Sequence, residues 1–457
     1  MRKYKYIIAA VALGMFTLSS CEDALDVDPT TEIPGETAVN DLTSLERAAY
    51  GAYSALQPTD YYGLRYLVYQ DVYADNLAHA GTFSTDREVS NRNINQSNLQ
   101  IAETWASIYL VINRANTVIE QANELVANDV VAQEDADLIL GQMYFLRGLA
   151  YFDLVKVFGG VPLELTAVRD LTDIDFKARS SQEEVYQSII SDLQQAEALL
   201  PPETGTPTTA SGLAASALLA RVYLQQGNNA QAAAKATEVI ESGQYNLVSD
   251  FEDVFLLESN NEIIFSIEYT TNDQNGLGSA TNLSTPGQKF VVRQDLFDAL
   301  QESGARGDER FAATAQAVGQ GNLKLLKYED DVNNSDDVIV LRLAEMYLIR
   351  AEALARQGTL TGLAAPQVLS DINQIRTRAG LSRLLTLTNS AALNEILEQR
   401  RLEFVGEGLR FMDLKRYNRT CEEIGFCEAT GAAYRNLWPI PLQELELNPS
   451  LVKNPGY

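Results

Sequence analysis

Residues 143–157 are apolar on nearly every side of the helix their spacing predicts. Such a helix cannot lie half in water. It needs neighbours all round, so it reads as the buried core of a helical body. The run stops at Phe158, Gly159, Gly160, Val161 and Pro162. Glycine takes the left-handed backbone that ends a helix, and proline cannot continue one. Other stripes offer the neighbours. Leu42, Leu45, Ala49, Tyr53 and Leu56 share a helical face, as do Trp105, Ile108, Ile112, Ala115 and Ile119. Val185, Ile189, Leu193 and Ala196 form a third stripe, which Pro201 and Pro202 end. Ser180 and Glu183 have the spacing of a capping box at its start.

Residues 214–242 look like a tetratricopeptide unit. Ala217, Ala220 and Tyr223 lie on one helix, Gly227, Asn228 and Asn229 make the turn, and Ala233, Ala236 and Ile240 lie on the next. Small residues let paired helices approach, and neighbouring pairs must stack to bury their faces. Residues 342–357 and 365–378 read as another pair, and 396–417 as a last long helix interrupted near Gly406 and Gly408. Two stretches break this order. Residues 57–100 are rich in Tyr, Asp, Asn, Ser and Thr and show no helical period. Residues 244–338 hold a predicted strand at 262–269, an Asn/Gly/Ser/Thr loop at 270–287 and an acidic run at 329–337. Long irregular segments are usually functional or disordered. The tail from residue 437 is rich in Pro and Asn.

The N-terminus carries Arg2, Lys3 and Lys5, then an apolar run at 7–18, then Leu18-Ser19-Ser20-Cys21. The run is short for a membrane span, and the order is that of a secretory signal peptide. A cysteine directly after the cut resembles a lipobox, whose thiol takes the lipid. The alternative is an ordinary signal peptide with an incidental Cys21. Glu22, Asp23, Asp26 and Asp28 follow, and residues 21–40 read as an acidic tether. Cys421 and Cys427 either form a short bridge outside the cytoplasm or stay as thiols. With 35 Lys and Arg against 62 Asp and Glu, the net charge is −27. That surface repels nucleic-acid phosphates and anionic headgroups, so no nucleic-acid partner is expected, and the lipid is the membrane contact.

Catalysis finds little support. His79 is the only histidine, so a Ser-His-Asp triad or a histidine metal site would rest on it alone. Neither G-x-S-x-G nor H-E-x-x-H occurs. The fragment Gly319-Gln320-Gly321 reads as a turn. The 329–337 run lacks the spacing and glycine of an EF-hand loop and reads as a solvated loop. No catalytic residue, metal site or cofactor is expected. A glycosidase needs only two carboxylates, so that alternative stays open, as does a tetratricopeptide scaffold.

A series of motifs carries a family resemblance. They are Trp105-Ala106-Ser107-Ile108-Tyr109 with Ile112-Asn113-Arg114-Ala115-Asn116; Tyr144-Phe145-Leu146-Arg147 with Tyr151-Phe152-Asp153-Leu154; and Phe158-Gly159-Gly160-Val161-Pro162-Leu163. Then come Ala220-Arg221-Val222-Tyr223-Leu224, Arg342-Leu343-Ala344-Glu345 and Ile375-Arg376-Thr377-Arg378-Ala379-Gly380. Arg400-Arg401-Leu402-Glu403-Phe404, Glu407-Gly408-Leu409-Arg410, Asp413-Leu414-Lys415-Arg416, Trp438-Pro439-Ile440-Pro441 and Asn454-Pro455-Gly456-Tyr457 complete it. In this order, behind a lipobox, the chain resembles a SusD/RagB-family lipoprotein. Gln399 departs from the pattern, which often has Glu there. The resemblance implies a mainly α fold: an irregular tetratricopeptide body of about four helix pairs, with long loops and a few short strands as the ligand face. It implies a single domain at 41–457 behind a signal peptide at 1–20. It implies a surface-exposed outer-membrane lipoprotein, not an enzyme, that captures an oligosaccharide, or a peptide, and lids a SusC-like TonB-dependent β-barrel transporter.

Motif charges such as Arg147, Asp153, Arg410 and Asp413 sit in apolar helices and read as buried interhelical ties. Trp105 and Trp438 read as core. The ligand site is expected where irregular segments interrupt the helices, at 59–100 together with 269–290. Tyr61, Tyr62 and Phe83 are candidates for stacking on sugar C–H faces. Asp75, Asn76, His79, Asp86, Arg87, Asn272, Asp273 and Asn275 are candidates for hydroxyl contacts, and Tyr269 joins them. The competing role for each tyrosine, and above all for Tyr69 and Tyr73, is to pin the loop onto the helices.

Overall fold

A computed structural model describes residues 39–457 except 171–172, 258, 282–289 and 320–321. The expected signal peptide, Cys21 and nearly all of the acidic tether lie outside the described residues, as does part of the 319–321 turn. In chain order come α1 (Leu42–Ser54), α2 (Arg65–Tyr73), β1 (Leu77–His79), α3 (Ser84–Ser90), α4 (Leu99–Ala127), α5 (Gln133–Phe158), α6 (Gln182–Leu199), α7 (Gly212–Gln225) and α8 (Asn229–Glu241). Next are β2 (Ile263–Ile267), β3 (Phe290–Val292), α9 (Gln294–Gly304), β4 (Ala315–Val318), β5 (Asn322–Leu325) and β6 (Val338–Arg342). α10 (Leu343–Gln357), α11 (Pro366–Arg378), α12 (Asn389–Glu403), α13 (Arg410–Arg416) and α14 (Leu442–Leu447) close the chain.

The architecture is mainly helical. α1 packs on α4, α5 on α6, α7 on α8 and α10 on α11, which makes four pairs, and α8 against α10 joins the last two. The stretches without helical period are insertions: 55–98 lies inside the first pair, and 242–337 between the third and fourth. α5 fills the centre and is buried almost throughout its second half. Among the described residues it is the one helix long and apolar enough to cross a membrane, and 83% of that stretch is covered by protein. The strands form three antiparallel pairs, β1 with β3, β2 with β6 and β4 with β5.

Buried charges tie the helices. Arg147 forks onto Asp192 at 2.8 and 2.7 Å and reaches Asn116 at 2.8 Å, which joins α5 to α6 and α4. Arg221 grips Glu345 between α7 and α10. Arg310, Arg342 and Arg378 converge on Glu403. Burial pushes that carboxyl up, but the three guanidiniums outweigh it and hold it far below its ordinary value. Gln399 accepts from Arg310 at 2.8 Å. Arg310 already pairs with Asp308 and Glu403, so a neutral amide suffices at that position.

The helix stop after α5 is built as a joint. Gly159 has φ +79°, and a Cβ on Gly160 would lie 2.2 Å from the Ser180 carbonyl oxygen. The C-terminal tail packs there. Trp438 N–H donates to the Val157 carbonyl at 2.7 Å, and the Asn454 amide donates to the carbonyls of Phe158 and Trp438. Trp105 and Trp438 are both buried. Cys421 and Cys427 are joined by a disulfide.

Three local expectations shift. The capping box is Ser181 with Glu184, one residue beyond the predicted pair, because Ser180 N–H is tied to the Val161 carbonyl. The helix expected at 396–417 is two helices, α12 and α13, broken where Gly406 and Gly408 take φ +80° and +70°. The irregular 57–100 stretch contains α2 and α3. α2 escapes sequence reading because eight of its nine residues are buried, so no polar face marks a period.

Candidate functional site

The two singled-out insertions meet. Gly276 N–H donates to the Gly63 carbonyl at 2.8 Å, and the Gln57 amide donates to the Glu268 carbonyl at 2.9 Å. Tyr269 Oη donates to the Gln57 carbonyl at 3.1 Å. β1 pairs with β3, placing His79 opposite Phe290. Residues 57–98 are therefore joined to 268–281 and to 290–293 in one face. The part of the second segment at 282–289 lies outside the described residues.

Behind that face is a sealed polar layer. Tyr61 and Tyr62 hydroxyls donate to Asp153 Oδ2 at 2.6 and 2.8 Å, and Lys156 Nζ holds Asp153 Oδ1 at 2.8 Å. Tyr69 donates to Asp86, and Tyr73 to the Arg435 carbonyl at 2.9 Å. Asp75 is forked by Arg410 at 2.7 Å on both oxygens. Burial pushes Asp75 up, but Arg410, with Arg401 and Arg92, holds it below its ordinary value. Asn76 donates to Asp71 at 2.6 Å, and Gly408 N–H donates to the same carboxylate. Burial pushes Asp71 up to about 7 against those donors. Asn275 donates to the Asp336 carbonyl and accepts from Leu277 N–H.

This corrects the expected site. A stacking platform needs an open ring face, yet Tyr61 is fully buried, Tyr62 is 4% exposed and Tyr269 is 3% exposed. Asp75, Asn76, Asp86 and Asn275 are buried with internal partners. The His79 ring is also buried, with Nδ1 3.9 Å from Asp86 Oδ2. These groups pin the loops, the competing role. Four candidates reach solvent: Phe83 at 51% exposure, and Arg87, Asn272 and Asp273.

Sequence reasoning missed the pair beside them. Arg65 Nη1 meets Asp60 Oδ1 at 2.7 Å at the solvent edge, and Arg65 Nε lies 3.8 Å from Asp86 in α3, the helix that Phe83 caps. Both charges flank Tyr61 and Tyr62 in sequence, and in the fold their side chains keep only a minority of their surface open, 14% for Arg65 and 25% for Asp60. The rim at this end of 57–98 thus combines the Phe83 ring, the exposed Arg87 and the Asp60–Arg65 pair. Among the described residues no group of three or more His, Cys, Asp or Glu side chains is arranged to hold a metal ion.

Residues 23–224 match a SusD-like family model described as starch-binding associating with outer membrane, and residues 292–426 match the SusD family model. SusD-like protein P38 of Formosa agariphila is 29% identical over the whole of both chains. Starch-binding protein SusD of Bacteroides thetaiotaomicron is 25% identical, covering 69% of this chain and 72% of its own. Among solved structures, a SusD superfamily protein of Bacteroides thetaiotaomicron is 25% identical with a TM-score of 0.78, covering 91% of this chain and 100% of that one. A laminarin binding SusD-like protein is 25% identical with a TM-score of 0.77, covering 92% of this chain and 100% of that one.

Proposed function

Because the chain belongs to the SusD/RagB family, we propose that it is a non-catalytic glycan-binding lipoprotein of the outer-membrane surface. Its lipid would sit on Cys21, with residues 1–20 removed and 21–40 tethering a single domain at 41–457. It captures an oligosaccharide at the rim around Phe83 and Asp60–Arg65 and hands it to a SusC-like TonB-dependent transporter, over which it acts as a lid.

The observation that carries the binding role is the rim itself. A half-exposed aromatic ring stands near charged groups able to grip hydroxyls, over a layer of hydrogen-bonded tyrosines and carboxylates. The relatives named for starch and laminarin support the glycan class. The acidic charge balance favours a second cargo, a cationic peptide.

Calorimetric titration with starch- and laminarin-derived oligosaccharides and with basic peptides tests the cargo. Saturable glycan binding without release of reducing ends is expected. Steady release of reducing ends would make it a hydrolase, and binding of peptides alone would move the cargo class. Mild-detergent pull-down should recover a large β-barrel partner near stoichiometry. Protease shaving of intact cells should degrade the protein, and Cys21→Ala should mislocalise it.

A further inference from the structure

We propose that a groove between α1, the turn at 206–209 and the end of β2 is a second sugar subsite, with Tyr50 as its stacking face. This rests on the glycan-binding reading above and extends it to a ligand of defined minimum length.

The groove encloses about 160 Å³. Tyr50 lines it and is 70% exposed, on a helix whose other face buries Leu45, Ala49 and Ala52. One turn on, Tyr53 makes a fixed wall, because its hydroxyl accepts from Ala210 N–H at 3.0 Å. Ser266, fully buried on β2, also lines the groove, and its Oγ has no hydrogen-bond partner. Glu268, Thr208 and Thr209 stand at the edge. One open aromatic face with acceptors and donors at its edge suits a pyranose. Its C–H face lies on the ring while its hydroxyls meet the polar edge.

The position links it to the rim. Gln57 lines the groove and bonds to the Glu268 carbonyl, while Asp60 of the rim pair is three residues further along the chain. Three residues span at most about 10 Å. A linear oligosaccharide of several units can therefore touch both places, and Tyr50 would add only to the binding of ligands long enough to reach past the rim. The groove would select for length.

The test titrates detergent-solubilised full-length protein with laminari- and malto-oligosaccharide ladders from disaccharide to heptasaccharide. Tyr50→Ala should weaken heptasaccharide binding roughly tenfold and leave disaccharide binding unchanged, with the same Tm, since the ring is exposed. Tyr50→Phe should keep full affinity. Unchanged affinity of Tyr50→Ala at every length, while Phe83→Ala loses binding, would overturn the groove and leave the rim standing. Equal loss at all lengths would also overturn it. No binding of either ladder by the wild type would remove the glycan reading and the groove with it.

Discussion

Tyr62 and Phe83 come from one stretch of chain and carry the same kind of ring. Tyr62 is sealed against Asp153, and Phe83 faces solvent at the start of α3. The same split divides the charges. Asp75 is buried in the grip of Arg410, while Asp60 meets Arg65 at the solvent edge. Where every polar group has an internal partner, its interactions go into holding the loops on the helical body. Where a group keeps an open side, it can act on a ligand. The difference between the two sides is solvent access, not the number of partners each group has.

Substitutions on the two sides should therefore fail differently. The largest effect is expected from Tyr62→Ala. Losing a buried aromatic costs about 3–5 kcal/mol, and Asp153 loses a donor as well. Tm should drop by many degrees while the folded fraction keeps its glycan affinity. A stable Tyr62→Ala protein with weakened binding would collapse the distinction.

Next comes Asp75→Asn, expected to cost about 3 kcal/mol at pH 7, because Arg410 loses its counter-charge while the amide keeps one acceptor. The pH dependence has a definite sign. The folded carboxyl is held below its ordinary 3.8, so its contribution is full above pH 3.8 and is lost as pH falls through the lower folded value. The gap between wild type and variant should narrow below about pH 3.8. A gap that is constant with pH would mean that the Asp75 charge is not what matters.

Phe83→Ala lies on the other side. Affinity for the bound oligosaccharide should fall by about 1–3 kcal/mol if the ring is a hot spot, with little change in Tm. Unchanged affinity would move the site off the rim. The smallest stability effect is expected from Asp60→Ala. A part-buried ion pair of this kind contributes about 1 kcal/mol, at the upper end for exposed pairs, so Tm should fall by only a few degrees. A large loss of Tm would place Asp60 with the sealed layer.

The helical body was legible in the residues. The all-round apolar run at 143–157, the stripes at 42–56 and 105–119 and the small-residue pairing at 214–242 each carry a period that only helices satisfy. The order of motifs from Trp105 to Tyr457 carries the family resemblance by itself. Where local signals were ambiguous, reading slipped by small steps, as with Ser180 for Ser181, since two serines and two glutamates repeat the same spacing. α2 was illegible because full burial removes the contrast that marks a helix.

Residue chemistry alone determined that this chain builds paired helices, that two insertions interrupt them, and that tyrosines and short polar side chains gather in those insertions. It also determined the acidic charge and the lipobox-like start at Cys21. Only the tertiary structure decided which of those tyrosines and carboxylates stay open. Tyr61, Tyr62 and Asp75 are sealed by Asp153 on α5 and Arg410 on α13, partners far away in sequence. Periodicity is a local property that neighbouring residues encode. Exposure depends on what distant segments bring against a side chain, and no window of sequence contains that.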